Sequence, residues 1–335
     1  MADQDRLGDE RGGRAPAVAS VVSDGTAVGR RIRLAYRLQY LLFRGAVGLF
    51  AALPRRTALR LGAGLGELFY HLGRRLRRIG LFNLAIAFPE RSIGERQRIL
   101  RASCHNLGRL AAEFCHLPAL TAEGLSDIVS FADRAAWERT VAGAGHTGGI
   151  VVTGHFGNWE LLAYVHGLLG HPVTLIHRPM RNELVDAAVN AVRWRAGTRT
   201  LAKKAAAREA IRTLRQRGIL VIPCDQNQTR RFGVFVDVFG KPASTTPGAA
   251  RLAMRTGAPA CPVFLVREPD GEHHRVEVGS PIAMVDTGDR EADIVTNTQR
   301  CSDAVEAMIR RYPEQWVWFH KRWRTRPKGE PRIYV

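Results

Sequence analysis

Cysteine is scarce and unpatterned in this chain. Its 335 residues hold five, Cys104, Cys115, Cys224, Cys261 and Cys301, with no CxxC pair among them. None has zinc-ligand spacing with histidine, which argues against a zinc ribbon or a dithiol redox motif. An odd number without a framework points to reduced thiols in a cytoplasmic setting. His273-His274 lacks a nearby cysteine or further histidine and reads as a solvated loop, not a metal site. Acidic residues are also short: 31 against 50 Lys and Arg, a formal net charge of +19 and a pI near 10.9. Such a balance calls for an anionic partner, whether nucleic acid, a membrane surface, a phosphorylated substrate or an acidic carrier protein. Long apolar runs are missing too. The longest, Leu38 to Leu53, has 16 residues and contains Arg44, against the roughly 20 that cross a bilayer core. With 45 % apolar residues the composition is that of a globular protein and not of a polytopic membrane protein.

No internal repeat is present. Residues 1–28 are rich in Gly, Ala, Asp and Arg, without apolar periodicity. They are expected to form a disordered tail, and without an apolar stretch near the start they do not read as a signal peptide. Residues 29–80 carry 12 arginines against one acid, Glu67. Arginines beside the apolar run Leu38–Leu53 fit a helical membrane-associating segment facing an anionic leaflet. Three forms remain open for that run: a short or tilted anchor, an interfacial helix, or a buried helix.

The third segment, residues 81–335, is expected to be an α/β domain. Gly94–Leu117 has helical periodicity through Ile99, Leu100, Leu107, Leu110 and Phe114. Strand-like runs then fall at Gly149–Thr153, Pro172–His177, Ile219–Pro223, Ala260–Val266 and Arg275–Val278. Helical stretches alternate with them at Trp159–Leu169, Glu183–Arg195, Lys203–Arg217 and Gly248–Arg255. This rhythm predicts a mostly parallel central sheet flanked by helices. Thr246-Pro247 reads as a helix start with a capping hydroxyl and Pro at the first helical position, and Gly257 as its stop.

The chemistry concentrates at Gly148–Leu162, GGIVVTGHFGNWELL. A β-branched run delivers His155 to a strand end, Asn158 opens a helix, and Glu160 falls in its first turn. The spacing alone carries nothing: with 11 histidines and 31 acids, about one His-x4-acid match arises by chance. On a continuous helix the two side chains would stand about 140° apart. Across a strand-to-helix turn, however, Glu160 could reach back to the imidazole. The reaction this suits is proton abstraction from an alcohol attacking an acyl group, with neutral imidazole as base and the carboxylate as its partner. No strong nucleophile accompanies the pair, which favours direct transfer over an acyl-enzyme. A core histidine satisfied by a helix-start carboxylate is the structural alternative.

GHFGNWE resembles the active-site signature of the lysophospholipid acyltransferase superfamily, in its lipid A biosynthesis (lauroyl/myristoyl) branch. The similarity runs from Arg37 to Pro327. It takes in Asn83-Leu84, Phe88-Pro89-Glu90, Arg178-Pro179, Asp225-Gln226, Val238–Ala243 and Pro313-Glu314-Gln315-Trp316-Val317-Trp318-Phe319-His320-Lys321-Arg322-Trp323. The resemblance implies a glycerolipid acyltransferase-like fold, His155 as general base and Glu160 as its charge-relay partner. It also places Arg193, 38 residues beyond His155, at a required arginine, and Asp225 at a functional carboxylate. Arg193 could bind a phosphate or oxyanion bidentately. Arg178 at a strand end is expected to contact an anionic donor or acceptor, and Thr246 to be a cap first and a substrate contact second.

The expected activity is acyl transfer from an acyl thioester, on acyl carrier protein or coenzyme A, to a glycolipid hydroxyl, first of all a lipid A precursor. No cofactor or metal is implied. Acyl carrier protein, anionic membrane lipid and the glycolipid acceptor are the partners, at the cytoplasmic face of a bacterial inner membrane. A phosphatidylinositol mannoside or lysolipid acceptor is the alternative within the enzyme class, although the mannoside enzymes lack the Trp-x-Trp-x-His ending. The C-terminal aromatics interleaved with Lys321, Arg322, Arg324 and Arg326 would suit a membrane interface, a phosphoglycolipid headgroup or packing on the sheet. They would also suit single-stranded nucleic acid, but no nucleic-acid-binding signature accompanies them.

Overall fold

A computed structural model describes residues 27–202 and 206–334, with side chains described from residue 33 on and, after the break, from residue 207. All but the end of the expected tail lies outside the described residues. Four helices lead: α1 (Ala27–Ala52), α2 (Arg55–Leu72), α3 (Arg74–Ala87) and α4 (Ile93–His116), followed by the single turn α5 (Ala122–Leu125). Then come β1 (Val129–Phe131), α6 (Arg134–Thr147), β2 (Gly149–Thr153), α7 (Trp159–Leu168), β3 (Val173–His177), α8 (Glu183–Arg195), β4 (Arg199–Ala202) and α9 (Ala206–Arg215). The chain continues with β5 (Ile219–Pro223), the hairpin β6 (Val234–Val238) and β7 (Lys241–Thr245), α10 (Gly248–Thr256), β8 (Ala260–Arg267), β9 (His274–Val278) and α11 (Arg290–Arg311).

Seven strands form one sheet in the order β1-β9-β8-β2-β5-β3-β4. Neighbours pair in parallel except β8 with β9. The expected mostly parallel sheet between helices is therefore present. The short strands β1 and β4 and the β6–β7 hairpin, whose second strand Lys-Pro-Ala-Ser-Thr has no apolar run, are additions to the expected strands. β2 lies at the centre and all five of its residues are buried. Its Ile-Val-Val-Thr sequence is what a strand covered on both faces requires. Connections from β2 to β3 and from β5 to β8 leave in opposite directions, so a crevice opens at the carboxyl ends of β2 and β5.

α4 starts on a capping box, Ser92 with Glu95, and buries Ile99, Ser103, Asn106, Leu110 and Glu113 along one face. α2 packs on it unusually closely: a Cβ on Gly108 would lie 1.9 Å from the Gly62 carbonyl oxygen. Only glycine fits such a crossing. Outward, α1 and α2 expose Leu34, Leu38, Leu41, Leu42 and Leu49, and Leu61, Leu65, Leu68 and Leu72. Among the described residues no helix is long and apolar enough to cross a membrane. The expected segment is thus helical, as three helices of which the third runs on past residue 80 to Ala87.

Candidate active site

The register of the two central strands determines which side chains meet. Thr153 of β2 pairs with Pro223 of β5, so His155 and Asp225 each stand two residues beyond the last pair, side by side. Asp225 Oδ1 lies 3.0 Å from His155 Nδ1, and Asp225 Oδ2 accepts the His155 backbone N–H at 2.8 Å. Trp316 Nε1 donates to the same Oδ2 at 2.8 Å. Burial opposes the carboxylate's charge. The adjoining imidazole and these hydrogen bonds outweigh it and hold Asp225 well below the usual carboxylate range. An ionised carboxylate only accepts, so Nδ1 carries the proton, and in the neutral ring Nε2 keeps its lone pair. Burial likewise opposes a charged imidazole, yet the Asp225 charge and hydrogen bond raise His155 above its ordinary value.

Glu160 does not reach back to His155. Its two oxygens meet Arg193 Nη2 at 2.6 Å and Nε at 2.9 Å, while Arg193 Nη1 donates to Asn190 at 3.2 Å. The hydrogen-bonded carboxylate of His155 is thus Asp225, and the expected direct His155–Glu160 contact is corrected. The physical reason is the turn itself. Asn158 caps α7, its Oδ1 accepting from Leu161 N at 3.0 Å, and the helix then carries Glu160 towards α8. Glu160 still acts on His155 through space, favouring its charged form.

The Glu160–Arg193 pair is part of the lining of a cleft of about 400 Å³ between α1, α2, α4 and α8. Its other walls are almost wholly apolar, with Phe43, Val47 and Phe50 of α1, Leu110 and Phe114 of α4, and Met180 and Val189. Volumes of this order hold small ligands.

All four amides of the His155–Asn158 loop are bonded: His155 to Asp225, Phe156 to Gly154 O, Gly157 to Gln315 O and Asn158 to Leu265 O. The side chain beside the imidazole is Gln226, whose Nε2 lies 3.2 Å from both ring nitrogens. Equidistance places it against the ring and out of line with either lone pair. Trp159 stands edge-on to the imidazole, with ring centroids 5.3 Å apart.

A bacterial lipid A biosynthesis acyltransferase family model matches residues 30–325. The chain belongs to that family. The Escherichia coli (strain K12) lipid A biosynthesis lauroyltransferase is 29 % identical over 87 % of this chain and 92 % of its own length. A Haemophilus influenzae lipid A biosynthesis acyltransferase is 28 % identical over 88 % and 94 %. The E. coli lipid A biosynthesis myristoyltransferase is 28 % identical over 81 % and 82 %. The protein is accordingly an O-acyltransferase.

Two further residues singled out in the sequence stand apart from the pair. Arg178 is exposed just past β3 and takes no ion pair among the described residues. Thr246 Oγ1 accepts from Gly248 N at 3.4 Å, and α10 begins at Gly248 as expected, with Pro247 at the cap position and not at the first helical one. Gly257 stops that helix in the left-handed region as anticipated. His274 is no solvated loop residue: it lies wholly buried in β9 against Glu113, while His273 is exposed and bonds Asp270. Trp316, Trp318 and Trp323 are buried in the main core, so these three rings offer no stacking platform. Trp316, Gln226 and Glu113 were overlooked as individual site residues. Glu113 had a legible signal, a lone carboxylate at helical spacing on the apolar face of α4.

Proposed function

We propose that this chain transfers a fatty acyl group from an acyl thioester to a hydroxyl of a lipid A precursor, with His155 as general base. The observation that carries the reading is the His155–Asp225 pair, whose geometry leaves Nε2 of the neutral ring as a proton acceptor. Nε2 takes the proton of the acceptor hydroxyl as its oxygen attacks the thioester carbonyl carbon. Asp225 holds the tautomer and stabilises the imidazolium. The tetrahedral intermediate then breaks its C–S bond, and the thiolate leaves with the proton from the imidazolium. With the loop amides committed, we assign Gln226 Nε2, which lies against the imidazole, as the donor to the developing oxyanion. Glu160 and Arg193 are the charged residues lining the cleft, and Arg178 and Thr246 do not contact the His155–Asp225 pair.

The cleft suits the acyl chain, since each buried methylene contributes about 0.8 kcal/mol. The donor is an acyl thioester on acyl carrier protein, whose acidic surface complements a chain of net charge +19; coenzyme A thioester is the other arm of the test. No cofactor takes part. The exposed leucines of α1 and α2, interspersed with arginines, support a peripheral position on the anionic cytoplasmic face of the inner membrane. Labelled acyl-carrier-protein and acyl-coenzyme A donors, offered a lipid A precursor, a mannoside lipid and a lysophospholipid in turn, test the reading. Transfer to the lipid A precursor, lost by about 10³-fold or more in His155→Ala without loss of the fold, is the expected outcome. A fully active His155→Ala protein would overturn the mechanism, and exclusive use of another acceptor would overturn the substrate.

A further inference from the structure

Behind the catalytic loop, and out of contact with the imidazole, lies a buried polar hub. Glu113 of α4 accepts from Arg267 Nη2 at 2.6 Å and Nη1 at 3.0 Å, and from Asn158 Nδ2 at 2.7 Å. His274 Nε2 at 2.8 Å and Arg55 Nη2 at 2.9 Å complete its shell. Arg267 Nε donates to Asn106 Oδ1 at 2.7 Å, and Asn106 Nδ2 donates to the Gly157 carbonyl at 3.2 Å. Gly157 is also held through its N–H, by the Gln315 carbonyl at 2.9 Å. Its φ is +57°, and a Cβ there would lie 1.8 Å from the Leu265 carbonyl oxygen, so the loop has no room to shift on that side.

Glu113, Arg267 and Asn158 are each buried. Charges placed this deeply gain little net stability over well-packed apolar side chains. What the arrangement does is fix a point: Asn158 and Gly157, immediately after His155 and Phe156, are tied by side chains to α4 and to the end of β8. Resting on the acyl-transfer reading above, we infer that Glu113 and Arg267 are positioning residues for the reaction. They lock the His155–Asn158 loop so that the imidazole keeps its alignment with Asp225.

The test uses Asn158→Asp, Glu113→Gln, their double variant and Asn106→Asp, each measured for kcat, KM and thermal melting. Asn158→Asp keeps the helix cap but sets a carboxylate against Glu113. The double variant restores one amide facing one carboxylate. Asn106→Asp keeps an acceptor for Arg267 Nε and removes the donor to Gly157. Asn158→Asp and Asn106→Asp are expected to lower kcat by about 10²-fold with KM nearly unchanged, the loss typical of an ångström-scale misplacement. The double variant is expected to recover at least about ten-fold over Asn158→Asp. Unchanged kcat per folded molecule in both Asn variants, or a double variant as poor as the product of its singles, would overturn the inference. Failure of Glu113→Gln alone to fold leaves the comparison of Asn158→Asp with the double variant, and the Asn106→Asp result, to decide. Inactivity of the wild-type protein on every donor and acceptor would instead overturn the acyl-transfer reading, and this inference with it.

Discussion

At the scale of single residues, the site turns on which carboxylate touches the histidine. Asp225 accepts from both the backbone and the ring of His155 and is steadied by Trp316. A base must be neutral to act. Because Asp225 raises His155, the imidazole stays protonated, and inactive as a base, to a higher pH than a free histidine would. Activity should therefore rise with pH along a limb centred above about 6.5. A pH–rate profile of acyl transfer checks this; a limb at or below that value would mean that Asp225 does not act on the base. Glu160 is engaged elsewhere, and its ion pair with Arg193 contributes charged side chains to the lining of the otherwise apolar cleft.

At the scale of elements, β2, α7, β3, α8 and β5 are legible in the sequence because each is an apolar-rich segment bounded by Gly, Pro or polar residues, and Asn158 marks the start of α7. Adjacency was harder to read. Nothing local to residues 149–160 says that β5 will lie beside β2, yet that pairing is what brings Asp225 to His155. Helical spacing also gives no hint that the turn at Asn158 sends Glu160 towards α8. The close crossing of α2 and α4 was hidden for a similar reason: glycines at 62, 66 and 108 look permissive until the two helices are known to touch. Gly108→Val must push those helices apart and should lower the unfolding free energy by at least about 2 kcal/mol. Urea denaturation measures it, and a midpoint within error of the wild type would show that the crossing yields freely.

At the scale of the whole molecule, a net charge of +19 combines with exposed leucines on two adjacent helices. Flotation with vesicles should show binding to phosphatidylglycerol-rich bilayers that weakens with salt and with the double substitution Leu38→Asp, Leu42→Asp. Equal recovery with purely zwitterionic vesicles would remove the electrostatic part of that picture. Such placement would bring a lipid acceptor to a catalytic crevice built on the carboxyl ends of β2 and β5. The most direct trial of the account is the pH dependence of kcat/KM for acyl transfer in the wild type and in Asp225→Asn. The account predicts a loss of about 10²–10⁴-fold in the variant, with the remaining activity's acid limb moved to lower pH than in the wild type. A variant with the wild-type limb and near wild-type rate would contradict it.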